Sequence, residues 1–210
     1  MLPPVAGEAT TPARQVRAVF DDQTITVYQA YSATIAVPAA AAGSFAGTPF
    51  KPDRMTWIKP SFLWMMYRSG WATKPDQEHV LAIRITRTGF EEALSQACLS
   101  HFDHDVYADH AAWEERKRTS PVRIQWDPER DLALNPLAWR SLQVGLGGKA
   151  ANDYLHRWIV RIDDITTHVR DLHDHLTAGR TDAVHAGLPT EHPYPLSPDL
   201  AQIIGATVEA

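Results

Sequence analysis

A few polar residues at the ends of apolar, alternating segments are the ones in this chain that could do chemistry. Lys59 closes the run Arg54–Lys59 (RMTWIK), directly before Pro60, and shares the face of Met55 and Trp57. A cation backed by aromatic rings there could hold a phosphate or stack on the edge of a base. Arg17 stands just before the alternating run Thr24–Tyr31 (TITVYQAY), a second position for an anion contact. In that run Ile25, Val27, Gln29 and Tyr31 point one way and Tyr28 the other, so an apolar face ends in an amide and a phenol. Polar groups arriving on a buried face at a strand end suggest a pocket, although Gln29 could equally bond the backbone beside it. Glu129 follows Val122–Asp127 (VRIQWD); Asp127–Pro128 is expected to turn the chain and present Glu129 with Arg130. A carboxylate there could act as an acid or base or bind a ribose, or sit in a solvated turn.

The aromatic segment Met55–Ala72 places Trp57, Trp64 and Trp71 seven residues apart. With Ser61–Trp71 helical, Trp64, Arg68 and Trp71 share one side, and a core helix with a structural Trp64 is expected. The chain has 10 histidines, but the only clusters are His101–His104–His110 and His173–His175, and HExxH is absent. No metal site is expected from these spacings. Cys98, the 1 cysteine, can form no intramolecular disulfide. It falls on the apolar side of a helix expected over Gly89–His101, as a core residue and not a nucleophile. The sequence holds no GxSxG, GxGxxG or GxxxxGK[ST] pattern, which removes hydrolase-elbow, Rossmann and P-loop readings.

The elements that must position these residues follow from periodicity. Strands are expected over Thr24–Tyr31, Arg54–Lys59, His79–Thr86, Val122–Asp127 and Trp158–Asp163. Helices are expected over Ser32–Ala42, Ser61–Gly70, Gly89–His101, His110–Arg118 and Thr166–Ala178. Ser32 and Ser61 are natural N-caps, and Gly179 suits a helix C′ position. The fold class is α+β: a single domain with a central mixed or antiparallel sheet and flanking helices. Ile25, Val27, Leu81, Ile83, Ile85, Val122, Ile124 and Trp126 are expected in one core beneath one sheet. Residues 1–13 read as a flexible arm, 14–178 as the domain, and 179–210 as a Pro-rich extension of irregular course before Leu200–Ile204.

Composition bounds the partners. The formal net charge is −5 over 210 residues, with 44% apolar and 21% charged residues, ordinary for a globular chain. Residues 1–90 carry a net +3 and residues 91–210 a net −8, and Arg outnumbers Lys 15 to 5. No apolar run approaches the ~18 residues of a membrane helix, so no membrane partner and a cytoplasmic location are expected.

The runs RQVRAVFDDQTITVYQAY, MTWIKPSFLWMMYRSGWA, QEHVLAIRITRTGF, VRIQWDPER and RSLQVGL, in this order, resemble the domain-of-unknown-function 4291 family over Arg14–Thr166. The resemblance implies that Arg14, Gln15, Arg17, Gln29, Trp57, Lys59, Arg68, Gln125 and Glu129 belong to its motif set, without a catalytic assignment. At fold level, VYQAYSATIAVPAAAAGSF, TWIKPSFLW and IQWDPER are similar to the three-part site of ADP-ribosyltransferase-like domains. There a His or Arg of the first strand meets NAD; here Gln29 stands in that place. What this implies is a nucleotide-binding enzyme acting at a ribosyl carbon, with NAD as substrate, no other cofactor, and nucleic acid among the conceivable acceptors. Arg17 and Lys59 would hold phosphates, Tyr28 and Trp57 would stack on rings, and Glu129, with Gln29, would serve catalysis. The alternative is a non-catalytic nucleic-acid-binding domain using Lys51–Arg87, with 7 basic and 3 acidic residues, and its tryptophans as a stacking platform. An acidic sequence pI near 6.0 speaks against it.

Overall fold

The computed structural model describes residues 11–207. The flexible arm expected over residues 1–13 lies largely at residues 1–10, outside the described residues. In chain order the elements are β1 (Arg17–Ala18), β2 (Thr24–Tyr31), α1 (Ala33–Ala42), β3 (Thr56–Ile58), α2 (Phe62–Ser69), β4 (His79–Thr86), α3 (Arg87–Ser95), β5 (Ala97–Leu99) and α4 (His110–Thr119). After these come β6 (Val122–Arg130), β7 (Pro136–Leu146), α5 (Gly148–Asp153), a π turn (Tyr154–Trp158), β8 (Ile159–Asp164), α6 (Thr166–Thr177), α7 (Thr181–Gly187), β9 (His192–Pro193) and α8 (Pro198–Ile204). This is an α+β fold.

Alternating sequence makes β2 and β4, and their registers agree: Ile25 faces Ile85, Val27 faces Ile83 and Gln29 faces Leu81 in an antiparallel ladder. β8 adds to the other edge of β4. The second sheet runs β3-β7-β6-β5, with β5 parallel to β6 and the rest antiparallel; β1 and β9 make a third, two-stranded sheet. The single sheet expected over His79–Thr86 and Val122–Asp127 is therefore corrected: these strands lie in separate sheets. Their apolar faces nevertheless enclose one core, since Ile25, Val27, Leu81, Ile83, Ile85, Val122, Ile124 and Trp126 pack in a single buried cluster. Alternation specifies which face of a strand is buried, not which strand pairs with which. The two larger sheets touch at Tyr28 and Lys59, whose backbones bond at 2.7 Å (Tyr28 N to Lys59 O) and 3.3 Å (Lys59 N to Tyr28 O).

Four local expectations are also corrected. Asp127–Pro128 does not turn the chain: β6 runs on to Arg130, with a register shift between Pro128 and Arg130. β5 accompanies β6 only along Val122–Ile124, so beyond that one side of β6 carries no ladder, and a residue without an N–H is tolerated there. The helix of Gly89–His101 is instead α3, ending at Ser95, because Ala97–Leu99 takes the ladder of β6; Cys98 is thus a buried strand residue. Trp71 is not on the face of α2: Gly70, Trp71 and Ala72 all adopt left-handed backbone, with φ of 60°, 56° and 61°. The C-terminal course is not irregular, for it forms α7, β9 and α8 and sends Tyr194 and Ile204 into the main core.

β7, at 11 residues the longest strand, alternates between exposed and half-buried residues over Pro136–Arg140 and is largely buried from Ser141 on. Gly145 within it is required by packing, since a Cβ there would stand 2.8 Å from Met55 Sδ and 2.9 Å from the Trp57 ring. Gly89 is tighter still, with a Cβ falling 2.3 Å from Trp158 Cγ. Gly89→Ala is expected to destabilise by about 1–3 kcal/mol through overpacking. Urea unfolding checks it; an unchanged midpoint would mean that Trp158 moves freely, contrary to its burial. Among the described residues no helix is long and apolar enough to cross a membrane.

Candidate functional site

Lys59 leaves β3 at the point where the two larger sheets meet, and Pro60 and Ser61 then lead into α2. Ser61 caps that helix, its hydroxyl accepting from Trp64 N at 3.1 Å. The cap swings Trp64 back over Lys59, whose Nζ lies 3.5 Å from the indole centroid. Lys59 is 1% exposed, and its ammonium donates to Asp127 Oδ2 at 2.9 Å. Burial lowers the Lys59 amine to about 8, against the raising pull of Asp127. Asp127 is fixed in turn by Gln125 Nε2, 2.8 Å from its Oδ1.

Lys59 lines a cavity of about 690 Å³, together with Gln29, Tyr31, Phe50, Trp57 and Trp64. Lys51, Arg54 and Arg68 bring three further cations to the same cavity, and Gln77 and Gln143 add amides. The Gln29 amide is heavily committed: Nε2 donates to Thr56 Oγ1 at 2.8 Å and Trp57 O at 3.0 Å, and Oε1 accepts from Tyr154 at 2.8 Å. Gln29 therefore braces the cavity wall, as a satisfied buried amide does. Burial pushes the Tyr31 phenol up to about 12 and the Tyr154 phenol well above its usual value, so both stay neutral donors.

The other expected residues go elsewhere. Tyr28 lines neither this cavity nor the next; its ring packs edge-on to Phe62 at 5.5 Å in a smaller core cluster. Burial raises its phenol, which therefore stays protonated. Arg17 and Glu129 line a second cavity of about 220 Å³, with Ser61, Arg130, Trp139 and Glu191 among its walls. Arg17 and Lys59, both expected to hold phosphates, thus line different cavities, and Glu129 shares that of Arg17. Lys59 and Ser61, two residues apart, serve different cavities; they bond Asp127 and Glu129, also two apart on β6, with Ser61 Oγ donating to Glu129 Oε1 at 2.8 Å.

Of the three tryptophans of Met55–Ala72 only Trp57, half-buried, lines the first cavity with a ring that is not closed off. Trp64 is 8% and Trp71 3% exposed, and Trp71 stacks on His173 with centroids 5.6 Å apart. Asp103, His104 and Asp105 form the one tight cluster of metal-capable side chains among the described residues, and Asp103 is taken by Arg14 at 2.6 Å. Asp127, Ser61, Tyr154, Trp139 and Glu191 escaped sequence reasoning. Only Asp127 carried a usable signal, since it lies on the strand leading to Glu129. Glu191 sits in a Pro-rich segment far along the chain, where no periodicity marks it.

The family model described as "Domain of unknown function (DUF4291)" matches residues 15–194. No curated protein matches the chain.

Proposed function

Because the chain belongs to the DUF4291 family, whose description assigns no activity, we propose its function from the first cavity: a nucleotide-binding enzyme that takes NAD or a related dinucleotide and acts at its ribosyl carbon. The observation that carries this reading is one cavity combining aromatic walls with four cations. The rings of Tyr31, Phe50 and Trp57 supply flat apolar surface for a base, and Lys51, Arg54 and Arg68 supply charge for a pyrophosphate. Lys59, desolvated beneath Trp64, is a fourth cation at the cavity wall, paired with Asp127. Reaction at the ribosyl carbon rests on the likeness of the strand–helix opening to ADP-ribosyltransferase-like domains. With Glu129 turned to the second cavity and Asp127 engaged by Lys59 outside the walls of the first, Asp76 is the carboxylate that lines the first cavity and could stabilise positive charge developing on a ribose.

The test is calorimetric titration of NAD, ADP-ribose and AMP into the wild type and Arg68→Ala, with nicotinamide release followed in parallel. A lost charge-assisted contact of ~1.5–3 kcal/mol weakens binding roughly 10- to 150-fold. The Lys59 amine is charged only below about 8, so affinity for the pyrophosphate is expected to fall as pH rises through that value. Absence of binding by all three nucleotides at millimolar concentration would end the nucleotide reading; binding without nicotinamide release would end the ribosyl reading alone.

A further inference from the structure

The second cavity holds two carboxyl groups that the first cavity does not use. Glu129, 8% exposed, accepts from Ser61 Oγ and Arg130 N through Oε1, both at 2.8 Å, while its Oε2 has no partner among the described residues. Glu191, from the segment between α7 and β9, accepts from Phe62 N at 2.7 Å through Oε1, and its Oε2 is likewise unpartnered. Among the described residues neither carboxyl forms an ion pair, although two guanidinium groups line the same space. Arg17 is turned to Gln15 Oε1 at 3.0 Å and the Glu191 carbonyl at 3.1 Å. Arg130 stacks on Tyr67 at 3.6 Å and donates to Leu134 O at 3.2 Å. Phe62, Leu137, Trp139 and Leu188 form apolar walls.

We propose that this cavity is a general acid–base site for a small acetal, an O-glycoside of a single sugar, in which Glu191 protonates the leaving oxygen and Glu129 activates the attacking water. The proposal stands apart from the nucleotide reading, because it uses no residue of the first cavity. Three features select the substrate class. The volume of about 220 Å³ has room for one sugar ring, Trp139 gives a flat apolar wall, and the two open carboxyl oxygens are a donor and an acceptor for an acetal and its water. The charged groups lining the cavity with Glu191 are Glu129 and Arg130 from β6 and Arg17 from β1, and the Phe62 N–H of α2 donates to it; the Tyr28 phenol of β2 lies outside the cavity but feels the Glu191 charge. Burial chiefly, with Glu129 adding, raises the Glu191 carboxyl to about 8, while the Phe62 N–H and Arg17 pull the other way, so it holds its proton at neutral pH. In the reaction, water adds to the anomeric carbon and gives a proton to Glu129. The bond from that carbon to the leaving oxygen breaks, and this oxygen takes the Glu191 proton. Glu129 is left protonated and Glu191 ionised, and one proton exchanged through solvent restores both.

The experiment uses the full chain with a panel of 4-nitrophenyl pyranosides and furanosides, for the wild type, Glu191→Gln and Glu129→Gln. The wild type is expected to hydrolyse at least one of them, with activity falling above pH 8 as Glu191 ionises. Each variant should lose about 10²–10⁴-fold in kcat with KM little changed. The 2,4-dinitrophenyl analogue, whose leaving group departs unprotonated, should restore Glu191→Gln and not Glu129→Gln. A merely structural role would show no such split, and the split for Glu191→Gln is decisive even where Glu129→Gln fails to fold. Failure of the wild type on the whole panel, or retention of its rate by folded Glu191→Gln, overturns the proposal.

Discussion

Asp127→Ala is expected to lower the unfolding free energy by about 3–5 kcal/mol, because it strands the ammonium of Lys59 in the interior. Lys59 is 1% exposed, Asp127 Oδ2 is its one carboxylate partner among the described residues, at 2.9 Å, and the Trp64 face above it replaces only part of the lost attraction. The variant also frees Gln125 Nε2, which donates to Asp127 Oδ1 at 2.8 Å. Part of the cost is escaped by losing a proton, so pH dependence identifies the cause. In the wild type the folded amine is already lowered to about 8 from 10.5, and removing Asp127 removes the largest influence that raises it. Between the folded and unfolded values the unfolded chain binds more protons, so stability rises with pH across that window, at up to ~1.4 kcal/mol per unit. Asp127→Ala widens the window downward. Urea unfolding at pH 7 and pH 9.5 should therefore show a variant much weaker than the wild type at pH 7 and closer to it at pH 9.5. Equal loss at both would assign the effect to packing and not to charge.

Trp64→Ala is expected to cost about 3–5 kcal/mol through the cavity it opens. The indole is 8% exposed, packs with Phe62, Met65 and Met66 in the smaller core cluster, and meets Tyr67 edge-on at 6.4 Å. Its second task is electrostatic, since Lys59 Nζ sits 3.5 Å over the ring and draws on its quadrupole. Trp64→Phe separates the two tasks, because it keeps an aromatic face and most of the volume. Thermal melts together with nucleotide titrations measure both. A Trp64→Ala chain that melts like the wild type yet loses affinity would place the tryptophan wholly in the site. A chain that melts low and, while folded, binds as before would place it wholly in the core.

Lys59 and Glu129 show how much of the site was legible. Lys59 announced itself, because a lysine after an apolar run and before a proline can hardly avoid the strand end, and aromatic neighbours at fixed spacing surround it. Its partner Asp127 was hidden by the dipeptide Asp127–Pro128, which reads locally as a turn. The strand continues because β5 stops short and leaves no ladder bond for Pro128 to break. Once β6 runs on to Arg130, Glu129 lies on the strand beside Ser61, and its cavity differs from that of Lys59. Nothing within a few residues of Glu129 foretells this. Glu191, Tyr154 and Trp139 were illegible for the same reason: each joins its cavity or its hydrogen bond from a segment remote in sequence.

Local pattern along the chain sets the α+β class and the elements whose residues are neighbours in sequence. β2 and β4 occupy Thr24–Tyr31 and His79–Thr86 as their alternation requires, α2 begins after its Ser61 cap, and α6 begins at Thr166. Alternation and capping act within one element, so neighbouring residues suffice to set them. Long-range packing alone divides the strands into three sheets, the two larger enclosing one core, joins β3 to β6 through β7, and closes the C-terminal segment over Phe62 with Glu191. Those outcomes depend on pairings between distant segments, where burial of a face is satisfied by many partners and only the whole packing selects one.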